Sequence, residues 1–124
     1  MARTELSTTM KIVRLQAGKT LVTQAAEMDT VPSFISAMEN GRKKISNEWM
    51  LRIQTYFFKL GVEIPNFTRL VLLSNQSIPL ENMEKENSTI VARVASCFTN
   101  SDISQKDRER LAALLDQIER KAKK

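Results

Sequence analysis

The chain has 124 residues, 42% hydrophobic and 27% charged, a globular balance that argues against wholesale disorder and suits one small domain with an appendage. It holds no His and a single Cys, Cys97. This removes the imidazole of a Ser-His or Cys-His pair, the usual zinc ligand sets and any internal disulfide. No motif for carboxylate catalysis stands out, so the expectation is a protein that is not an enzyme and uses no cofactor and no metal. No run approaches the ~20 apolar residues of a membrane helix, and the first residues lack the apolar region of a secretory signal. A cytoplasmic protein with no membrane partner is expected.

The net charge is +5, and it is unevenly placed. Residues 1–61 hold nine Lys or Arg against five Asp or Glu, whereas residues 62–124 hold ten against nine. A basic half joined to a nearly neutral half fits a nucleic-acid module attached to a partner module.

Periodicity predicts helix almost throughout, hence an all-α fold. Residues 7–17 place Met10, Val13 and Ala17 on one face, with Gly18 as the stop. Thr20 is placed to cap a short second helix reaching about Met28, and Asp29 and Thr30 make a tight turn. Pro32 suits the first turn of a third helix that ends at Gly41, with Asn40 as a left-handed C-cap. Ser46 caps a fourth helix in which Trp49, Ile53 and Phe57 recur on one face. Ile35 and Met38 join Trp49 and Ile53 as expected core, and Phe34 is expected to pack on the second helix. Six methionines suggest an adaptable interior.

Beyond Gly61 a short apolar helix is expected over residues 66–74, carrying Phe67, Leu70, Val71 and Leu73. Residues 76–80 read as a loop or lone edge strand, and residues 80–88 as a polar connector. A helix over residues 89–98 is expected to turn Ile90, Val91, Val94 and Phe98 inward. Ser104 caps a last charged helix reaching about Lys123, with Asp107 in a variant capping box and an apolar stripe of Leu111, Leu114, Leu115 and Ile118.

Three short helices, a basic loop and a fourth helix make a helix-turn-helix pattern, and one segment makes it specific. Residues 31–44 read Val-Pro-Ser-Phe-Ile-Ser-Ala-Met-Glu-Asn-Gly-Arg-Lys-Lys. This resembles the recognition-helix segment of the Xre/Cro/CI family of prokaryotic and phage repressors. The resemblance runs without a gap over residues 8–58. It implies a lambda-repressor-like N-terminal domain of four to five helices over residues 1–61, followed by a helical extension over residues 62–124. Arg14 and Glu39 stand where the family pairs helix one with helix three, and a guanidinium can hold a carboxylate bidentately. Gln24 departs from the pattern, standing where an apolar residue is usual, and Asp29 stands where Gly is frequent.

The resemblance also implies which residues face double-stranded DNA. Thr20 and the start of helix two would meet a phosphate, and Leu21 at that helix start falls at a base-reading position. Pro32, Ser33, Ser36 and Ala37 fall at base-reading positions, Asn40 at a backbone-contacting one, and Arg42, Lys43 and Lys44 in the basic loop. Small and apolar base-reading groups imply modest direct readout, with DNA shape contributing. The expected function is a sequence-specific transcriptional regulator, a repressor of phage, plasmid or accessory genes. It would bind as a homodimer with helix three in the major groove and Leu111, Leu114, Leu115 and Ile118 at the dimer interface. The alternatives are an antitoxin that autorepresses its operon and binds a toxin through its C-terminal half, and a helical adaptor without DNA binding. A protein partner, a toxin or another regulator, is compatible with either.

Overall fold

The computed structural model describes residues 5–100 and 102–122. It is all-helical: seven α-helices and one 3-10 turn, with no strand among the described residues. The helices are α1 (Glu5–Ala17), α2 (Leu21–Glu27), α3 (Pro32–Glu39), α4 (Asn47–Lys59), α5 (Phe67–Asn75), α6 (Lys85–Asn100) and α7 (Gln105–Ala122). The chain divides into two compact units, one through Ile78 and one from Pro79 onward.

The first unit reaches past the expected boundary at Gly61. α5 packs against α1, and Phe67, Leu70 and Val71 enter the same core as Leu6, Met10 and Val13. Ala25, Met28, Ile35, Met38, Ile45, Ile53 and Phe57 complete that core. Gly61 resembles a boundary because it ends a helix, but five helices share one interior.

Each of the first four helices ends in the same way. The N–H of the residue two beyond the C-cap returns to a carbonyl five residues back: Lys19 to Arg14, Thr30 to Ala25, Arg42 to Ala37 and Val62 to Phe57, all at 2.9 Å. This Schellman geometry satisfies orphan carbonyls and requires a left-handed residue. Glycine supplies it after α1, α3 and α4, and Asp29, at φ 61°, supplies it after α2. Asp tolerates this region better than most residues, so the turn keeps its geometry without glycine. Asn40, expected to be left-handed, is not: it has φ −93°, and Gly41 takes the left-handed position at φ 77°.

Inside the unit lies a buried polar cluster. Arg14 of α1 donates from Nη1 and Nη2 to the two carboxylate oxygens of Glu39 on α3, the second bond measuring 3.0 Å. The same Nη1 donates at 3.0 Å to Oε1 of Gln24 on α2. Gln24 is fully buried, and its Nε2 lies 3.5 Å from the Met28 sulfur. The glutamine that departs from the repressor pattern thus joins the Arg14–Glu39 pair to α2. At its other end α2 is tied to α4: Arg52 Nη2 donates to the Met28 carbonyl at 2.6 Å, and Tyr56 donates to Glu27 Oε1 at 2.7 Å. The Tyr56 hydrogen bond, followed by that from Lys19, lowers the Glu27 pKa. Burial, then the Glu27 carboxylate, pushes the Tyr56 hydroxyl well above its ordinary value.

The second unit differs in kind. The expected connector over residues 80–88 is a 3-10 turn (Leu80–Asn82) followed by α6, which begins at Lys85 rather than near residue 89. Its first turn is polar and solvated, so hydrophobic periodicity does not register it. Ser104 caps α7 by accepting from the Asp107 N–H at 3.0 Å, while the Asp107 carboxylate faces Arg110 at 3.5 Å. The expected helix end at Lys123 lies outside the described residues. Ile90, Val94 and Phe98 do not turn inward: they are exposed, and Val91 is half-buried. On α7, Leu111 is half-buried while Leu114, Leu115 and Ile118 are exposed. No described residue from Pro79 onward is buried, so both apolar faces lack a core. Among the described residues no helix is long and apolar enough to cross a membrane.

The buried cluster generates a stability test. Removing one partner of a buried ion pair leaves a charge without its counterpart and costs about 3–5 kcal/mol. Arg14→Met and Glu39→Gln should each destabilise the first unit in that range in denaturant melts. The double substitution should cost less than the sum of the two. Additive costs would show that the pair is not energetically coupled.

Candidate nucleic-acid interface

The first unit has ten basic and six acidic residues through Ile78. Several of the cations are occupied within the fold. Arg14 is held by Glu39, Lys19 pairs with Glu27 at 3.0 Å, and Arg52 serves the end of α2 while lying 4.0 Å above the Trp49 ring. Arg42, Lys43 and Lys44 are all exposed and consecutive, forming the most concentrated positive segment of the unit.

The local sequence fixes this loop to α3. Pro32 occupies the first helical turn, where its missing N–H leaves no helical bond unmade. Ile35, Met38 and Glu39 are buried, which turns the stripe of Ser33, Ser36, Ala37 and Asn40 the other way. Ser33 is exposed and Pro32, Ser36, Ala37 and Asn40 are half-buried. Asn40 Nδ2 donates to the Ser36 hydroxyl at 3.1 Å, leaving that hydroxyl's proton available to a ligand. The Arg42 and Lys43 N–H groups both return to the Ala37 carbonyl, at 2.9 and 3.1 Å, so the basic loop begins in fixed geometry.

The three basic side chains are not equivalent. Lys43 Nζ lies 5.4 Å from the centre of the Phe34 ring, and Lys44 Nζ donates to Ser77 Oγ at 3.4 Å. Arg42 has no such partner among the described residues. An exposed cation–π contact contributes only ~0.5–1 kcal/mol, so a phosphate can compete for Lys43. Phe34 lies against Trp49 of α4, with ring centroids 4.9 Å apart. Trp49 is itself half-buried between Phe34 and Arg52, packing against the core without being enclosed in it.

At the start of α2, Thr20 accepts from the Thr23 N–H at 3.1 Å and donates to the Thr23 hydroxyl at 3.0 Å. Its hydroxyl is therefore engaged in capping. Leu21 packs against the core and offers only part of its surface. The sequence reading missed Gln24, Arg52 and Asn75. Gln24 carried a signal, a polar residue at an apolar position one helix away from an expected ion pair. Arg52 and Asn75 make contacts to backbone carbonyls distant in sequence, for which spacing offers no cue.

Comparison with protein-family models, with curated proteins and with solved structures finds no match for this chain. The functional reading therefore stands on the residues and their geometry.

Proposed function

We propose that this chain is a sequence-specific double-stranded DNA-binding transcriptional regulator of the helix-turn-helix kind, similar to Xre/Cro/CI repressors. In this reading α3 enters the major groove and Arg42, Lys43 and Lys44 lie along the phosphates. The observation that carries it is the outward stripe of α3 running directly into an exposed basic loop, held by a left-handed glycine. A major groove about 12 Å wide admits a helix, and phosphate contacts fix its register. Ser33 and Ser36 make single, permissive hydrogen bonds to base edges, while Pro32 and Ala37 touch thymine methyl groups. Asn40, bonded to Ser36, orients that hydroxyl. Sequence preference per half-site is modest, and dimerisation supplies the remainder by joining two half-sites.

The second unit supports a partner-binding role. Helices of this size owe most of their stability to packing an apolar face, and α6 and α7 bury no residue. In our reading a second copy covers the stripe of Leu111, Leu114, Leu115 and Ile118. The same open faces favour an antitoxin as the alternative, with a toxin protein as the cover.

Two experiments follow. Arg42→Ala, Lys43→Ala and Lys44→Ala should each weaken specific and random duplexes alike. Each should make the slope of log K against log salt shallower by about one unit. Arg42→Ala should have the largest effect, since Lys43 and Lys44 must leave an internal partner. An unchanged slope in all three would show that the loop faces away from DNA.

Leu115→Asp should give a monomer by analytical ultracentrifugation while the first unit stays folded, because it would place like charges together in an apolar interface. Operator binding should fall toward the non-specific range of ~10⁻⁴–10⁻⁶ M. A wild-type protein already monomeric at tens of micromolar would contradict the homodimer and favour a different protein partner.

A further inference from the structure

The basic loop is held at both ends, and the two ends are held differently. Its start is the cap of α3. Its far end is Ile45, a buried residue between the loop and the Ser46 cap of α4. The Ile45 N–H and C=O find their partners in one side chain, from 30 residues further along the chain. The N–H donates to Asn75 Oδ1 at 2.8 Å, and Asn75 Nδ2 donates back to the Ile45 carbonyl at 2.9 Å. A carboxamide presents a donor and an acceptor side by side, so it pairs with a residue's backbone as a neighbouring strand would. Aspartate would keep only the acceptor, and alanine neither.

Asn75 is the last residue of α5, and Gln76 follows in the left-handed region at φ 55°. The chain turns there and brings Ser77 to Lys44, whose Nζ donates to the Ser77 hydroxyl. The end of α5 therefore fixes the backbone at Ile45 through Asn75, while the Ser77 hydroxyl holds the Lys44 side chain only until a phosphate replaces it. α5 in turn is anchored through Phe67, Leu70 and Val71 in the common core.

We propose that Asn75 is a positioning residue for DNA binding. It fixes the far end of the Arg42–Lys44 loop so that its charges meet the phosphate backbone together. This rests on the DNA-binding reading above and assigns to α5 a part in affinity that the helix-turn-helix pattern alone does not give it. The physical ground is ordering entropy. Without the amide the Ile45 N–H and C=O would lose their protein partners, and the segment before α4 would sample more conformations to be reordered on each encounter with DNA, whereas the clamped loop is already ordered. The clamp acts on the phosphate-facing segment and leaves the base-reading stripe of α3 untouched, so affinity should change without a change in preferred sequence.

The test uses the full chain carrying Asn75→Ala and two readouts. In the free protein, the Ile45 amide should exchange with solvent about tenfold faster or more, while amides in α1 and α4 keep their protection. On duplex DNA, the slope of log K against log salt should become shallower by about one to two units, as if one or two phosphate contacts were lost. The ranking of operator variants should stay the same. Asn75→Gln keeps the amide but displaces it by one methylene, and it should move both readouts in the same direction if the alanine variant does not fold. Faster Ile45 exchange with an unchanged salt slope would overturn the proposal, because the clamp would then serve the fold alone. An altered slope with unchanged Ile45 exchange would overturn it as well. A wild-type protein without salt-dependent duplex binding would instead remove the DNA-binding reading itself, and the positioning role with it.

Discussion

The first unit depends on a guanidinium buried among three helices. Arg14 is 6% exposed and must be compensated where it lies, since an unpaired charge in an apolar interior is far costlier than an unpaired dipole. Glu39 supplies the opposite charge from α3, and Gln24 supplies a neutral acceptor from α2. The cluster is directional. It specifies which face of α2 and which face of α3 turn toward α1, where the surrounding leucine, methionine and valine contacts would tolerate small rotations. Because Glu39 is buried on the last turn of α3, Ser36 and Ala37 are turned to the other side and the basic loop follows at once. An interaction in the interior therefore determines what the surface presents.

Helix endings do the second part of that work. Repeating one capping geometry after α1, α2, α3 and α4 gives short connections whose backbone carbonyls are satisfied, so the unit packs four short helices without long loops. The loop after α3 is the one that carries consecutive cations, and it receives additional fixing from Asn75 and Ser77. In the second unit helix caps are present but a core is not. Ser104 starts α7 correctly, yet the leucines of that helix have nothing from their own unit over them that would bury them. Local signals are sufficient to specify these helices as elements, but not how they pack.

This contrast explains what could be read from the sequence. Helices α1 to α4 were legible because apolar spacing agreed with a local start or stop signal in each: Gly18 after α1, Thr20 before α2, Pro32 and Gly41 around α3, and Ser46 before α4. The Arg14–Glu39 pair was legible only through the family resemblance, since 25 residues separate its members. Gln24 looked like a departure because its partner is buried on another helix, and the pattern of apolar positions does not register a satisfied polar one. Gly61 suggested a domain boundary because a helix stop and a domain end share the same local chemistry. Only the packing of α5 on α1 separates them. The inward assignment of Ile90, Val94 and Phe98 failed for a related reason: an amphipathic face states that something should cover it, without stating what. Asn75 left no trace, because an amide bonded across 30 residues to a backbone has no spacing of its own.

We propose that the outward face of α3 and its basic loop read duplex DNA as part of a dimer. Selection of bound duplexes from a random pool, repeated at two salt concentrations, tests it most directly. Retention should fall steeply with salt, and two-fold related half-sites should be enriched. Their centres should lie about 10–10.5 base pairs apart, or a multiple of that, with weak preferences inside each half. No retention of duplex DNA at low salt, or retention without any enriched half-site, would contradict it.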